Sequence, residues 1–235
     1  MTARFLLRTL LTLGLAAAGT LASAATPQPF AATYQVTKDG SPLGRATVVL
    51  KPVGDGQWEY GKRMQGTSGL AAMLGASLQE TSRFRWRGDV PEAISYDYRM
   101  DAAIKTRQRH LAVDWASGQV TVDEGKGTQT YAAVPGMVER NTTALAIGLA
   151  LRDGQQQIAL PVAVRQEVER QQFKVAGKEK ITVPAGSYDA VRVDRTDADR
   201  GFSAWYAPAR YPLPVKLFQH DGGNLTMELV SFSQR

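Results

Sequence analysis

The chain has 235 residues, with 28 basic and 22 acidic side chains, a net charge of +6 and no cysteine. Disulfides, a thiolate nucleophile, Cys-ligated zinc or iron–sulfur centres and a lipid-modified cysteine are therefore all excluded. The bases are scattered rather than massed, and behind an export signal they give no reason to expect nucleic acid as a partner.

The first 24 residues read as that signal. Arg4 and Arg8 supply a positive start, residues 10–21 are apolar, and Ala22-Ser23-Ala24 is a small-residue cleavage site. The apolar run is too short for a comfortable bilayer span. Cleavage after Ala24 leaves 211 of the 235 residues, and 26 bases against 22 acids leave a charge of +4. The expected compartment is the periplasm, with no later membrane span and at most peripheral association with the envelope. Residues 25–235 are expected to form a single β-rich domain, since all-β units often reach this length.

From Phe30 onward large apolar and polar residues alternate with the period of a half-buried strand. Strands are expected at 30–36, 46–53, 57–64, 77–86, 93–100, 106–115, 119–123 and 128–132, separated by Gly, Asp, Ser and Pro turns. The segment 67–75 is small, apolar and bounded by glycines; it reads as one or two helical turns or a loop. Residues 141–153 are the strongest helix. Asn141 or Thr142 is placed to cap it, residues 144–151 favour helix, and Asp153-Gly154 ends it. Leu145 and Leu149 fall on one face, too apolar to stand in water. Strands resume at 157–164, 167–175, 179–183, 188–195, 202–207, 215–220 and 225–232. No repeat of 20–50 residues argues for a propeller or solenoid. The fold expected is mainly β: an antiparallel, strongly curved sheet or open β-barrel with one packed α-helix, preceded by a cleavable signal peptide.

Chemistry-bearing residues are sparse. His110 and His220 each fall within an expected strand, and no serine sits in a strand–turn–helix nucleophile motif. No ligand spacing for a metal is present. Asp97, Asp101 and Asp114 are the carboxylates available for a two-acid hydrolase, although Asp114 before a Ser-Gly turn also reads as a strand-end hydrogen-bond acceptor. The basic triplets Arg83-Arg85-Arg87 and Lys105-Arg107-Arg109 each have a spacing of two, which puts each triplet on one strand face. A solvated face is the expected role; a groove for an anionic headgroup or polymer is the alternative. The aromatics are spread over many strands and are expected mainly as core, with some lining a cavity.

Val113-Asp114-Trp115 with Gly118 and Val120, Thr182 to Val193 around Pro184 and Gly186, Trp205-Tyr206-Ala207-Pro208, Leu213-Pro214-Val215-Lys216 and Met227-Glu228-Leu229 together resemble one family. It is a family of exported bacterial proteins catalogued as domain of unknown function 3108, and the similarity runs from about Phe30 to the C-terminus. The resemblance implies no activity and no site residues. The expected function is a soluble periplasmic binding or carrier module without catalysis, its ligand a lipid or other amphiphile, with no cofactor and no metal. The architecture is similar to that of the periplasmic lipoprotein carriers. Leu70, Met73, Leu74, Leu145 and Leu149 are the expected ligand-binding residues. The alternatives are a carboxylate-dependent envelope hydrolase and an outer-membrane β-barrel.

Overall fold

A computed structural model describes residues 27–103, 105–198, 201–220 and 224–234. The signal segment lies outside the described residues. Fifteen strands follow one another as β1 (Phe30–Lys38), β2 (Ser41–Gly54), β3 (Gln57–Gly66), β4 (Ser77–Arg87), β5 (Val90–Ala102), β6 (Lys105–Asp114), β7 (Gln119–Asp123), β8 (Thr128–Ala132), β9 (Val138–Glu139), β10 (Gln157–Ala163), β11 (Val168–Val183), β12 (Gly186–Arg195), β13 (Phe202–Tyr206), β14 (Pro214–Gln219) and β15 (Leu225–Gln234). Two helices interrupt them, α1 (Gly69–Met73) and α2 (Thr143–Arg152).

All fifteen strands belong to one sheet. Neighbours in sequence are neighbours in space, which is what short turns enforce. The exception joins the chain's two halves: β1 pairs with β15, so the order runs from β8 back to β1 and then from β15 back to β9. Every pairing is antiparallel except β9 with β10. Strict alternation of buried and accessible residues in β1 and β2 gives the sheet one wet and one dry face. The dry face is the inside of a curl, where residues from both halves share clusters (Leu50 and Phe84 with Tyr188 and Leu213).

Among the described residues no ladder closes the curl, and β8 and β9 are its free ends. Side chains and loops bridge them instead. Tyr131 on β8 donates from its phenol to Val164 O at 2.6 Å, and burial pushes that phenol up to about 12. Glu124, after β7, accepts from Arg109 Nε at 2.6 Å and from Arg165 Nε, beyond β10, at 2.8 Å. The chain after β8 then turns back past the start of β5, where Ala93 N–H donates to Met137 O at 2.9 Å, and enters the interior as β9 and α2.

Glu92, 1 % exposed, anchors that return. Its carboxylate pairs with Arg85 at 2.7 Å and Arg87 at 3.1 Å and accepts from Gly136 N–H at 2.8 Å. The first basic triplet therefore faces outward, and two of its members fix a loop. Glu92→Gln keeps an acceptor for Gly136 but loses the ionic part of two half-exposed pairs, so about 1 kcal/mol of stability should go. Hydrogen exchange of amides 133–138 is the measurement: they should exchange faster while β2 and β3 keep their protection.

The helix expected at 141–153 is α2, and it is packed as expected. Leu145 and Leu149 sit among Phe30, Leu50 and Phe84 in the core, while Ile147 and Leu151 pack with Leu160 and Phe173. The 67–75 segment takes its helical alternative as α1, a single short turn. Two expectations about local structure need correction. The strands expected at 167–175 and 179–183 are one strand, β11, with a register shift between Val175 and Gly177. The helix start is also capped differently. Thr142 is the N-cap but makes no side-chain cap bond, and Asn141 points elsewhere. The buried Glu139 carboxylate does the capping, accepting from Asn141 N–H at 2.7 Å and Thr142 N–H at 3.0 Å. A negative charge there also faces the positive end of the helix.

Candidate functional site

α2 and the aromatic core around it occupy the end of the curl where β1, β3 and β5 begin. The other end is left hollow. A cavity of about 1340 Å³ fills it, lined by the mouth-side residues of both halves of the sheet. This exceeds the roughly 300–1,000 Å³ of ordinary small-molecule pockets.

The cavity has two kinds of wall. On β3, β4 and β5, Met64, Leu78 and Met100 are cross-strand neighbours in one row. Leu217, Leu225 and Met227 on β14 and β15 continue that apolar surface on the other half. Three of these six are methionines, which adapt to irregular apolar shapes. On β6, by contrast, Lys105, Arg107 and Arg109 lie opposite Ala102, Met100 and Tyr98 and share their inward face. Lys126, Arg140, Arg165 and Arg195 extend the basic wall.

The floor is a buried polar network. Glu80, 4 % exposed, forms an ion pair with Lys62 and accepts from Tyr96 O–H at 2.6 Å. Burial works to raise the Glu80 pKa; the charge and hydrogen bond of Lys62, helped by Tyr96, outweigh it and hold the carboxyl below its ordinary value. Next to it, Asn141 Nδ2 donates to Tyr60 O at 3.1 Å and Ser82 Oγ at 2.9 Å, stitching the start of α2 to β3 and β4. Asn141 Oδ1 is buried and has no hydrogen-bond partner among the described residues. Glu139 behaves oppositely to Glu80: burial raises its pKa, and the bonds from Ser82, Asn141 and Thr142 offset this only in part. At the rim, burial pulls Glu124 up, but its bonds from Arg165 and Arg109 prevail and hold it down.

The structure does not bring the five expected ligand residues together. Leu145 and Leu149 are packed solidly in the core beneath the cavity. Leu70, Met73 and Leu74 stand on α1 outside it, with Leu70 68 % and Met73 84 % exposed. None of the five lines the cavity. The walls instead come from alternate residues of ordinary-looking strands, whose inward direction is visible in the sequence only once the phase of each strand is known.

The expected carboxylates are also dispersed. Asp97 faces outward and contacts His110 Nδ1 at 2.7 Å, both exposed. Asp101 pairs with Arg99 at 2.7 Å, and Asp114 accepts from the Ala116 and Ser117 amides and the Ser117 hydroxyl, as a strand-end turn requires. Asp97 and Asp101 are four residues apart on one strand, about 13 Å at ~3.3 Å per residue. Asp114 lies equally far along β6 from His110, the register partner of Asp97. Those separations exceed the ~5–9.5 Å over which paired carboxylates cleave a glycosidic bond. His220 stacks edge-on against Phe218 at 4.5 Å. Among the described residues there is no group of three or more His, Cys, Asp or Glu that could hold a metal, and no helix long and apolar enough to cross a membrane.

The fold is found elsewhere. A crystal structure from Brucella abortus, titled a beta-barrel-like protein of domain of unknown function DUF1849, superposes with a TM-score of 0.56 over 90% of this chain and 100% of that one, at 13% identity. That level of identity speaks for the fold alone. A chain from the Pseudomonas aeruginosa MucA/MucB complex aligns over 88% of this chain and 94% of its own at 12% identity, but with a TM-score of 0.18 it bears on nothing here. No curated protein matches. The family model described as protein of unknown function (DUF3108) matches residues 30–230, and the chain belongs to that family.

Proposed function

We propose that this protein is a non-catalytic binding or carrier module that holds an apolar or amphiphilic molecule, working in the periplasm behind the export signal read from its first 24 residues. The observation that carries this reading is the 1340 Å³ cavity, lined by the Met64–Leu78–Met100 row on one half of the sheet and by Leu217, Leu225 and Met227 on the other. Such a surface gains from an apolar guest, because each methylene taken out of water contributes about 0.8 kcal/mol. The outer face supports the same reading against an outer-membrane barrel. Arg83, Arg85, Asp97, Arg99 and His110 lie on it, where such a barrel carries an apolar band.

Binding of a homologous series of alkyl maltosides from C8 to C12, each below its micelle concentration, tests this by calorimetry. About 0.8 kcal/mol per methylene corresponds to affinity rising roughly four-fold with each carbon. Native mass spectrometry of protein recovered from an osmotic-shock fraction should show a bound amphiphile. An affinity that does not change with chain length, together with protein recovered empty, overturns the reading.

A further inference from the structure

We infer that the ligand is an anionic amphiphile, its acidic head held against the β6 side of the cavity by Lys105 and Arg107 with Arg140, and its apolar chain laid along the Met64–Leu78–Met100 row. This rests on the carrier reading above and names the ligand class that the same cavity selects.

Charge is the first argument. Eight basic and three acidic side chains line the cavity, a difference of five positive charges, whereas the whole chain carries only +6. The net charge of the protein is thus concentrated where a ligand would sit, and a concave site focuses the resulting field.

The second argument is pairing. The three lining acids are already engaged: Glu80 with Lys62, Glu124 with Arg109 and Arg165, and Glu169 with Arg195. Lys105, Arg107, Lys126 and Arg140 remain, lining the cavity without a salt bridge among the described residues. Four like charges gathered in one concavity repel each other, and an anionic head relieves that repulsion.

The third argument is position. Arg107 lies directly opposite Met100, so a cation and the apolar row meet at adjacent strands. A molecule whose charged and greasy ends are joined spans that boundary; a free anion uses only one side of it and a neutral chain only the other. Arginine suits a carboxylate or phosphate head because its planar guanidinium can offer two parallel N–H donors.

Three C12 probes of matched chain, each below its micelle concentration, test this by calorimetry: dodecyl phosphate, dodecyl maltoside and dodecyltrimethylammonium, with inorganic phosphate as the chainless control. Dodecyl phosphate should bind at least ten-fold tighter than the maltoside, the preference should shrink as salt rises toward 0.5 M, and inorganic phosphate should neither bind nor compete. The double variant Lys105→Gln/Arg107→Gln should bring dodecyl phosphate down to the affinity of the maltoside and leave the maltoside unchanged. Equal binding of the charged and neutral probes overturns this inference while the carrier reading stands. Competition by inorganic phosphate, or a double variant that keeps the preference, also overturns it. Failure of all three C12 probes to bind overturns the carrier reading itself.

Discussion

Gly148→Ala should lower the melting temperature by roughly 4–8 °C, although helix propensity alone predicts the opposite. Gly148 lies inside α2, where alanine is worth about 1 kcal/mol more than glycine. A Cβ built there, however, would stand 2.1 Å from Pro212 O and 2.8 Å from Pro212 C, with the Tyr206 ring at 3.3 Å. The first two atoms are backbone, so no side-chain rotation relieves the contact. Either the helix or the segment before β14 must move. Overpacking of this kind costs about 1–3 kcal/mol, and a rigid backbone partner places it near the upper end. The clash wins by about 2 kcal/mol, which in a chain of this size gives the stated shift. Gly61→Ala is the control. That glycine is in β3 with nothing within 4 Å of a new Cβ and should be neutral or slightly stabilising. Thermal melts by circular dichroism decide the matter; a Gly148→Ala protein as stable as the parent would mean that α2 is not seated against Pro212 as described. Because the first residues of α2, Thr143 and Ala144, line the cavity, a displaced helix should also weaken binding of the C12 maltoside.

How much of this is legible in the sequence varies with the range of the interaction. Period-two alternation exposes β1, β2 and most later strands, because one face of each is dry, and apolar spacing exposes α2 and its burial. The two-residue strand β9 is not visible: Val138-Glu139 has no room for a pattern, and it is a strand only because β10 lies beside it. Gly177 reads as a break in 167–183, yet it pairs with Arg192 of β12, and the strand absorbs the irregularity as a bulge at the preceding Ala176. The pairing of β1 with β15 joins residues some two hundred positions apart, and nothing local encodes it. The site suffers most from this. Leu70 and Met73 attract attention as apolar residues in a small segment, but α1 is too short to bury them. Met64, Leu78 and Met100 look unremarkable singly and become one surface only when three strands register. Lys105-Arg107-Arg109 and Arg83-Arg85-Arg87 have the same spacing, and strand phase alone turns the first inward and the second outward. Glu139 was readable in principle: an acid three residues ahead of Thr142 stands where it can reach the first free amides of a helix.

Lys62→Met should cost about 3 kcal/mol at neutral pH, more than most single surface changes. The substitution leaves the Glu80 carboxylate 4 % exposed, with the Tyr96 hydroxyl as its remaining hydrogen-bond donor and the Arg140 charge acting on it without a salt bridge. Removing one member of a buried pair typically costs 3–5 kcal/mol, since the survivor keeps its desolvation and loses its partner. The lower end applies because the Lys62 side chain is 23 % exposed, so water also reaches this corner of the cavity. The pH dependence distinguishes this cause from lost packing. In the parent protein the folded Glu80 pKa lies below its ordinary value, so its contribution is present above the ordinary carboxylate range and is lost as pH falls through it. Without Lys62, burial dominates and the folded pKa rises above the ordinary value. The variant then takes up a proton on folding and loses stability as pH rises. The gap between parent and variant should therefore be small near pH 4 and widen toward pH 7. Urea titrations of both proteins between pH 4 and 8 measure the gap directly. Lys62→Met/Glu80→Gln should recover most of the loss at pH 7, because residue 80 then carries no charge and Tyr96 keeps an acceptor. A gap that stays constant across this range would show that Lys62 contributes through its aliphatic stem, and that Glu80 does not depend on it for its charge.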